Sequence, residues 1–446
     1  MKNGEGHTIY MLGIGGIGMS ALARYYHSRG YTVAGYDRTP SPLTKQLENE
    51  GMAVHYEDNP NLLPANIDRV VYTPAVPKNL KEFEALRQNN IKIMKRSEAL
   101  GQVSEHHFTI AVAGTHGKTT TTAMVAHILN TCGRNTTAFI GGIANNFNSN
   151  LLLGQGDDSI MVVEADEFDR SFLQLHPDIS IINSIDADHL DIYGDRQHLV
   201  QGFNDFAQLA KDTVIVKEGL AILTDRGIRF GFGESNDYHT EIIKSEKGIT
   251  DFVIVGKGRK TEIRLPMAGR HNVLNATAAF IAARQIGIEA TAIAEALATF
   301  KGVKRRFDIR VNNDRHCYID DYAHHPEEIR SCLTAVKEAY QGKRLTLVFQ
   351  PHLYSRTRDF MDEFAEVLAL ADQLILLDIY PARELPIEGI TSQALLDKVN
   401  LTDKSLCQKA KLINLIDSEK PELLVTMGAG DIDRFVEPLE NMIKTW

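Results

Sequence analysis

Short apolar runs alternate with helix-like stretches from one end of the chain to the other. HTIYMLGIGG predicts a strand that runs into glycines, MSALARYYHSRG has helical spacing and stops at Gly30, and YTVAGYD predicts a second strand. VVYTPAV (70–76) and IKIMKRSE (91–98) continue the series as strands. A fresh start appears at HHFTIAVAG (106–114), again a strand entering a glycine turn, followed by the strands SIMVVEAD (159–166) and DISIINSI (178–185). The Ala-rich stretch NVLNATAAFIAARQIGI (272–288) predicts a long helix. A third start follows KGVKRRFDIR with CYIDDYA (317–323), and RLTLVFQP, DQLILLDIY and ELLVTMGAG add buried strands. Such alternation predicts α/β architecture with mostly parallel sheets. Boundaries near residues 103 and 304 divide the chain into 1–103, 104–304 and 305–446.

A chain of 446 residues is too long for a single core, in keeping with three domains. Its net charge of −10 argues against nucleic acid or an anionic membrane as a partner. Cys132, Cys317, Cys332 and Cys407 lie far apart and form no C-x-x-C pair, so they read as reduced core thiols and not as a zinc site. MKNGEGHTIYMLGIGG lacks the charged-then-apolar layout of a signal peptide. No window of about 18 uncharged apolar residues predicts a spanning helix. The expectation is a cytoplasmic protein without membrane insertion.

Two glycine turns carry the candidate chemistry. GIGGIGMS follows a strand and opens a helix, with Gly13, Gly15 and Gly18 in G-x-G-x-x-G spacing. Glycines there let backbone amides approach a pyrophosphate at the helix N-terminus. Asp37, at the end of the next strand, stands where an acid often meets a ribose hydroxyl. The motif leaves a dinucleotide and a UDP-sugar open as ligands. The second turn, AGTHGKTTTT, is a short phosphate loop with Val112 where a standard P-loop has its first glycine. Gly114 and Gly117 would free amides for phosphate, Lys118 would lie over the outer phosphates, and Thr119 could offer its hydroxyl to Mg²⁺. VVEADE ends a strand in Glu164, Asp166 and Glu167, where metal-binding carboxylates gather. DADHLD ends the next strand with His189, a candidate metal ligand beside that cluster. GRHNVLNA sets Asn272 and Asn275 on the first turns of the Ala-rich helix, as caps or as partners of an adenine edge.

The third domain adds two polar loops after strands. DDYAHHPEE holds Asp320, Asp321, Tyr322, His324 and His325, and QPHLYSRTRD holds His352, Tyr354, Arg356 and Arg358. A guanidinium in such a loop suits a carboxylate, which it can hold with two parallel bonds.

GIGGIGMS, GTHGKTTTT, EADE, DADHLD, GRHNVLNA, KRRF, DDYAHHP, QPHLYSRT and DIYPARE, in that order over nearly the whole chain, resemble the Mur ligases. The resemblance implies three domains: an N-terminal Rossmann-like one for a UDP-sugar, a central P-loop ATPase-like parallel sheet for ATP, and a C-terminal Rossmann-like one for an amino acid. It implies that ATP phosphorylates the lactyl carboxylate of UDP-N-acetylmuramate and that L-alanine then attacks the acyl phosphate, a step in peptidoglycan precursor synthesis. By motif, Gly114, Thr115, His116, Gly117, Lys118, Thr119 and Thr120 match the ATP loop, and Asn272, Asn275, Arg306 and Asp321 match adenosine or phosphate contacts. Thr119, Glu164 and His189 match Mg²⁺ ligands. Gly15, Gly16, Ile17, Gly18, Met19, Ser20, Asp37 and Thr73 match the UDP-sugar end, which His116 would also face. Tyr322, His324, His352 and Arg356 match the region that receives L-alanine, with Lys118, His189, His324 and Arg356 as the catalytic set.

Two features depart from the family pattern. Leu353 stands where many relatives carry a second arginine, and no lysine between His189 and Ala210 could become a bridging carbamate. The rival within the family attaches a whole tripeptide to the same UDP-sugar, and its first turn typically lacks the GGIGMS wording. A nicotinamide dehydrogenase would leave GTHGKT and EADE unexplained. A non-catalytic nucleotide-sugar sensor would have no use for a phosphoryl-transfer set.

Overall fold

The computed structural model describes residues 4–89, 91–156, 158–186, 193, 195–382 and 384–446. The first sheet holds β1 (Thr8–Leu12), β2 (Thr32–Tyr36), β3 (Ala53–His55), β4 (Arg69–Tyr72) and β5 (Lys92–Lys95), ordered β3-β2-β1-β4-β5 with every neighbouring pair parallel. Helices α1 (Ile17–Ser28), α2 (Pro42–Asn49), α3 (Lys81–Gln88) and α4 (Arg96–Ser104) alternate with its strands. The expected strand 91–98 is half helix. β5 stops at Lys95 because Glu98 reaches back to accept the Lys95 backbone N–H at 2.6 Å, which starts α4 at Arg96.

The second sheet holds β6 (Thr109–Ala113), β7 (Thr136–Ala144), β8 (Ser149–Leu152), β9 (Ile160–Glu164), β10 (Ile179–Ile182), β11 (Thr213–Lys217), β12 (Gly227–Gly231), β13 (Tyr238–Glu246), β14 (Ile249–Gly256) and β15 (Arg259–Leu265). Its order is β15-β14-β13-β12-β11-β10-β6-β9-β7-β8. Helix α5 (Lys118–Thr131) leaves the turn after β6. Every residue of TIAVA in β6 is buried, as a parallel strand covered on both faces requires. The expected helix at 272–288 runs from Arg270 to Gln285.

The third sheet holds β16 (Asp308–Asn312), β17 (Cys317–Asp321), β18 (Leu345–Phe349), β19 (Gln373–Leu376), β20 (Lys404–Leu406) and β21 (Leu423–Met427), ordered β16-β17-β21-β18-β19-β20. Only its first pair is antiparallel.

By internal contacts the chain falls into two compact units. One comprises 1–239, 256–259 and 275–296, and the other 240–255, 260–274 and 297–446. Within the first unit one hydrophobic cluster joins Met19, Leu22 and Tyr25 of α1 and Val103 of α4 to Phe139, Leu151, Phe172 and Phe203. Tyr25 and Phe139 meet with ring centroids 5.5 Å apart. Each such fully buried side chain contributes roughly 1.5–3 kcal/mol, so the first glycine turn and the second sheet share one foundation.

Candidate active site

The turn after β6 is built on glycine where the backbone demands it. Gly114 has φ 136° and Gly117 φ 80°, values that L side chains rarely adopt. A β-carbon on Gly117 would lie 2.5 Å from Asn275 Oδ1, and one on Gly114 would lie 2.9 Å from the Ser184 nitrogen. The loop therefore rests directly on the end of β10 and on Asn275, which brings two separately expected motifs together. The Thr115 and Ser184 hydroxyls lie 2.9 Å apart, the His116 N–H donates to Ser184 Oγ at 2.8 Å, and the Asp186 N–H donates to Thr115 Oγ1 at 3.1 Å. His116 Nε2 stands 3.4 Å from Asp186 Oδ2. Thr119 and Thr120 are buried in the first turn of α5.

Lys118 Nζ donates to Gly114 O at 2.7 Å and to Glu167 Oε1 at 2.8 Å. Burial works against its charge, but Glu167, Glu164 and Asp166 outweigh that and hold its pKa above the ordinary lysine value. The ammonium is thus fixed at the mouth of the loop. The three acids after β9 diverge: Glu167 goes to Lys118, Asp166 Oδ2 accepts from Arg96 Nη2 at 3.2 Å, and Glu164 Oε2 accepts the Gly141 N–H at 3.0 Å. Glu164 is paired in register with Val112 of β6, just before the loop. Its carboxylate and the Thr119 hydroxyl are hard oxygen donors of the kind Mg²⁺ prefers. Among the described residues no group of three or more His, Cys, Asp or Glu forms a ready metal cluster. His189 lies outside the described residues.

The first glycine turn is more self-contained than its motif suggests. Gly13 has φ 81°, and a β-carbon there would meet Thr73 Cγ2 at 2.6 Å, which places Thr73 against the turn. Asp37 Oδ2 accepts the Gly15 N–H at 2.8 Å, so this carboxylate organises the turn's own backbone. The Met19 side chain is buried in the core. Asn150 Nδ2 donates to Ile17 O at 2.6 Å and to Ser20 Oγ at 3.0 Å, fastening the start of α1 from β8.

In the second unit Asp321 is buried, with Oδ2 accepting the Phe307 N–H at 2.6 Å and Oδ1 the Ala323 N–H at 2.7 Å. Burial pushes its pKa up to about 6 despite nearby Arg306 and these two bonds. It thereby clamps the KRRF loop to the end of β17. Arg305 and Arg306 both lie over the Tyr322 ring, at 5.3 and 5.0 Å. His324 meets Tyr322 edge-on at 5.2 Å and His352 at 6.0 Å, and His352 stacks on Tyr380 at 5.8 Å. Burial holds His324 below the ordinary histidine value, with Glu328 opposing and Arg356 adding to the effect. Burial, His324 and Arg356 bring His352 down to about 4. Arg356 Nη1 approaches His352 Nδ1 at 3.3 Å, the lone pair of a neutral ring accepting the bond. Tyr322, His324, His352 and Arg356 thus form one group. Arg358 is exposed and pairs with Asp359 at 2.7 Å, apart from that group. Asn272 Nδ2 donates back to Ala268 O at 2.8 Å, before the helix begins.

Sequence reasoning did not single out Arg96, Asn150, Ser184, Arg305 or Tyr380. Arg96 and Asn150 carry no local motif, and only their partners in space reveal them. Arg305 lay within KRRF and Tyr380 within DIYPARE, where the fragment was legible but the individual side chain was not.

The first turn alone would suit a dinucleotide, but the second places a fixed ammonium at a glycine loop with oxygen donors beside it. On three largely parallel sheets, this defines a multidomain α/β enzyme of the phosphoryl-transferring class. The chain belongs to the Mur ligase family. Residues 8–108 match the "Mur ligase family, catalytic domain" model, 112–283 the "Mur ligase middle domain" and 305–430 the "Mur ligase, glutamate ligase domain". The chain is 47% identical to the UDP-N-acetylmuramate–L-alanine ligase of Cytophaga hutchinsonii over 97% of its own length and 96% of the relative's. The crystal structure of the UDP-N-acetylmuramate–alanine ligase of Thermotoga maritima superposes with a TM-score of 0.86 at 28% identity, covering 98% of this chain and 99% of that one. A murein peptide ligase from Psychrobacter arcticus superposes with a TM-score of 0.73 at 25% identity, covering 99% of both chains.

Proposed function

We propose that this chain is an ATP-dependent, ADP-forming ligase that joins L-alanine to the lactyl carboxylate of UDP-N-acetylmuramate. The full-length identity of 47% to a ligase of that name supports the substrates. The observation that carries the chemistry is Lys118, fixed between the loop carbonyls and Glu167. A carboxylate is a poor electrophile, and phosphorylation converts its oxygen into a leaving group. A lactyl oxygen bonds to the γ-phosphorus while the bond from that phosphorus to the β,γ-bridging oxygen breaks, releasing ADP. Lys118 and the amides of Gly114 to Thr120 neutralise and orient the transferring group. Thr119 and Glu164 would hold Mg²⁺, which supplies charge neutralisation on the phosphates. The alanine nitrogen then attacks the acyl carbon, and the carbon–oxygen bond to phosphate breaks. Arg356 takes the alanine carboxylate, and His324, kept neutral by burial, accepts the ammonium proton that must leave before attack. Asn275 and Arg306 serve the nucleotide, and Gly15 to Ser20 with Thr73 serve the UDP-sugar.

The test is ADP release with ATP, UDP-N-acetylmuramate and either L-alanine or the tripeptide. Turnover with L-alanine is expected, and turnover with the tripeptide alone would replace this reading by the recycling one.

A further inference from the structure

The loop 352–356 carries two members of the group proposed to take the amino acid, and its backbone is strained. Leu353 has φ 72° and ψ 136°, a region that residues with a β-carbon rarely adopt. It stands as the N-cap of the short helix Tyr354–Asp359, and a leucine offers no oxygen to the orphan N–H groups of a helix start. His352 precedes this turn and Arg356 lies in the helix that follows. The turn therefore sets how the two side chains stand to each other.

What the turn lacks, the segment after β19 supplies. The Tyr380 N–H donates to Pro351 O at 2.8 Å, and the Leu353 N–H donates to Tyr380 O at 2.9 Å, so one residue grips the strained turn through both its backbone groups. Further on, Glu384 Oε2 accepts the Ser355 N–H at 2.9 Å and Oε1 accepts the Ser355 hydroxyl. A carboxylate from 29 positions away thus fills the place of the missing cap, where the helix dipole also favours negative charge. Burial works against its charge, but the bonds from Ser355 and Tyr354 hold the carboxyl below the ordinary glutamate value.

We propose that Glu384 is a positioning residue for the amino-acid substrate: it clamps the start of the short helix, holds Leu353 in its strained conformation and so keeps Arg356 beside His352. The inference rests on the reading of Tyr322, His324, His352 and Arg356 as the group that receives L-alanine. Glu384 acts through Ser355 and not by contact with the substrate. Without the clamp the turn relaxes towards negative φ, and the 3.3 Å approach of Arg356 Nη1 to His352 Nδ1 is lost. The carboxylate of L-alanine then meets a guanidinium out of place, which weakens binding of the amino acid above all.

Steady-state ADP release by the full chain, with each substrate varied in turn, tests this. Glu384→Ala is expected to raise the KM for L-alanine about tenfold, with kcat changed far less and the KM for ATP unchanged. Glu384→Gln keeps one oxygen for the Ser355 N–H and should lose less. Glycine adopts a positive φ without strain. Glu384→Ala should therefore raise that KM less in a Leu353→Gly background than in the wild type, a coupling that a merely structural glutamate would not show. If the KM values for L-alanine and ATP rise together, if that for L-alanine stays unchanged, or if the rise is the same in both backgrounds, the inference falls. If Arg356→Ala itself leaves the KM for L-alanine unchanged, the amino-acid reading of the group falls instead.

Discussion

Lys118 has its charge secured before any substrate arrives. Its ammonium is held by Glu167 and by the Gly114 carbonyl, so in the proposed reaction ATP would meet a preformed cation and not a flexible surface lysine. Lys118→Ala is therefore expected to lower the rate of ADP release by about 100-fold or more while the affinity for UDP, read by calorimetry, stays unchanged. Retained turnover would remove Lys118 from the phosphate site. The histidine group makes a prediction in pH. Because burial brings His352 to about 4, the folded state binds its proton less readily than the unfolded chain does. Its contribution to stability is present above the ordinary histidine value of about 6.5 and is lost as pH falls towards about 4. Denaturant midpoints of the wild type should fall more steeply across that window than those of His352→Gln. Parallel pH curves would mean that the ring titrates normally.

At the scale of elements the loop proposed to hold phosphate depends on two glycines between a buried strand and a helix. Gly117→Ala would place a β-carbon 2.5 Å from Asn275 Oδ1 on a residue with φ 80°. The left-handed backbone alone costs about 1–2 kcal/mol. The variant should lose that much or more in denaturant unfolding and should bind ATP far more weakly, with UDP affinity retained. Unchanged ATP affinity would mean that the loop tolerates displacement. This loop was readable in the sequence because strand, glycine turn and helix each have a local signature, as TIAVA followed by GTHGKTTTT illustrates. IKIMKRSE misled because its first half is apolar enough for a strand, whereas the helix start rests on one side chain, Glu98, folding back. Asp37 occupies the expected place at the end of β2, yet its carboxylate caps the turn, a partnership that spacing along the chain does not reveal. The link from Arg96 to Asp166 joins residues 70 positions apart, and no local pattern encodes it.

For the whole molecule, the first sheet cannot be treated as a module independent of the second. One face of α1 and α4 buries Met19, Leu22, Tyr25 and Val103 in a cluster that takes Ile9, Met11, Val33 and Val71 from the first sheet and Ala111, Phe139, Leu151 and Met161 from the second. Tyr25 also approaches His107 Nε2 at 3.2 Å, so a polar contact accompanies the apolar ones. A fragment of residues 1–105 would keep the opposite cluster of Tyr10, Val70, Phe83 and Leu86 and the first sheet's own share of the joint cluster, but would lose the cover that Phe139, Leu151, Phe172 and Phe203 give it. With about 1.5–3 kcal/mol lost for each large side chain uncovered and total stabilities of about 5–15 kcal/mol, few such losses are affordable. The fragment is expected to bind a hydrophobic dye and to show no cooperative thermal transition. Within the intact chain, Tyr25→Ala should destabilise by about 3–5 kcal/mol, and UDP and ATP binding should be lost in the same denaturant transition. A fragment that unfolds cooperatively near the temperature of the full chain would show the first sheet to be self-sufficient, and the Arg96–Asp166 contact would then join two separately stable parts and not two edges of one core.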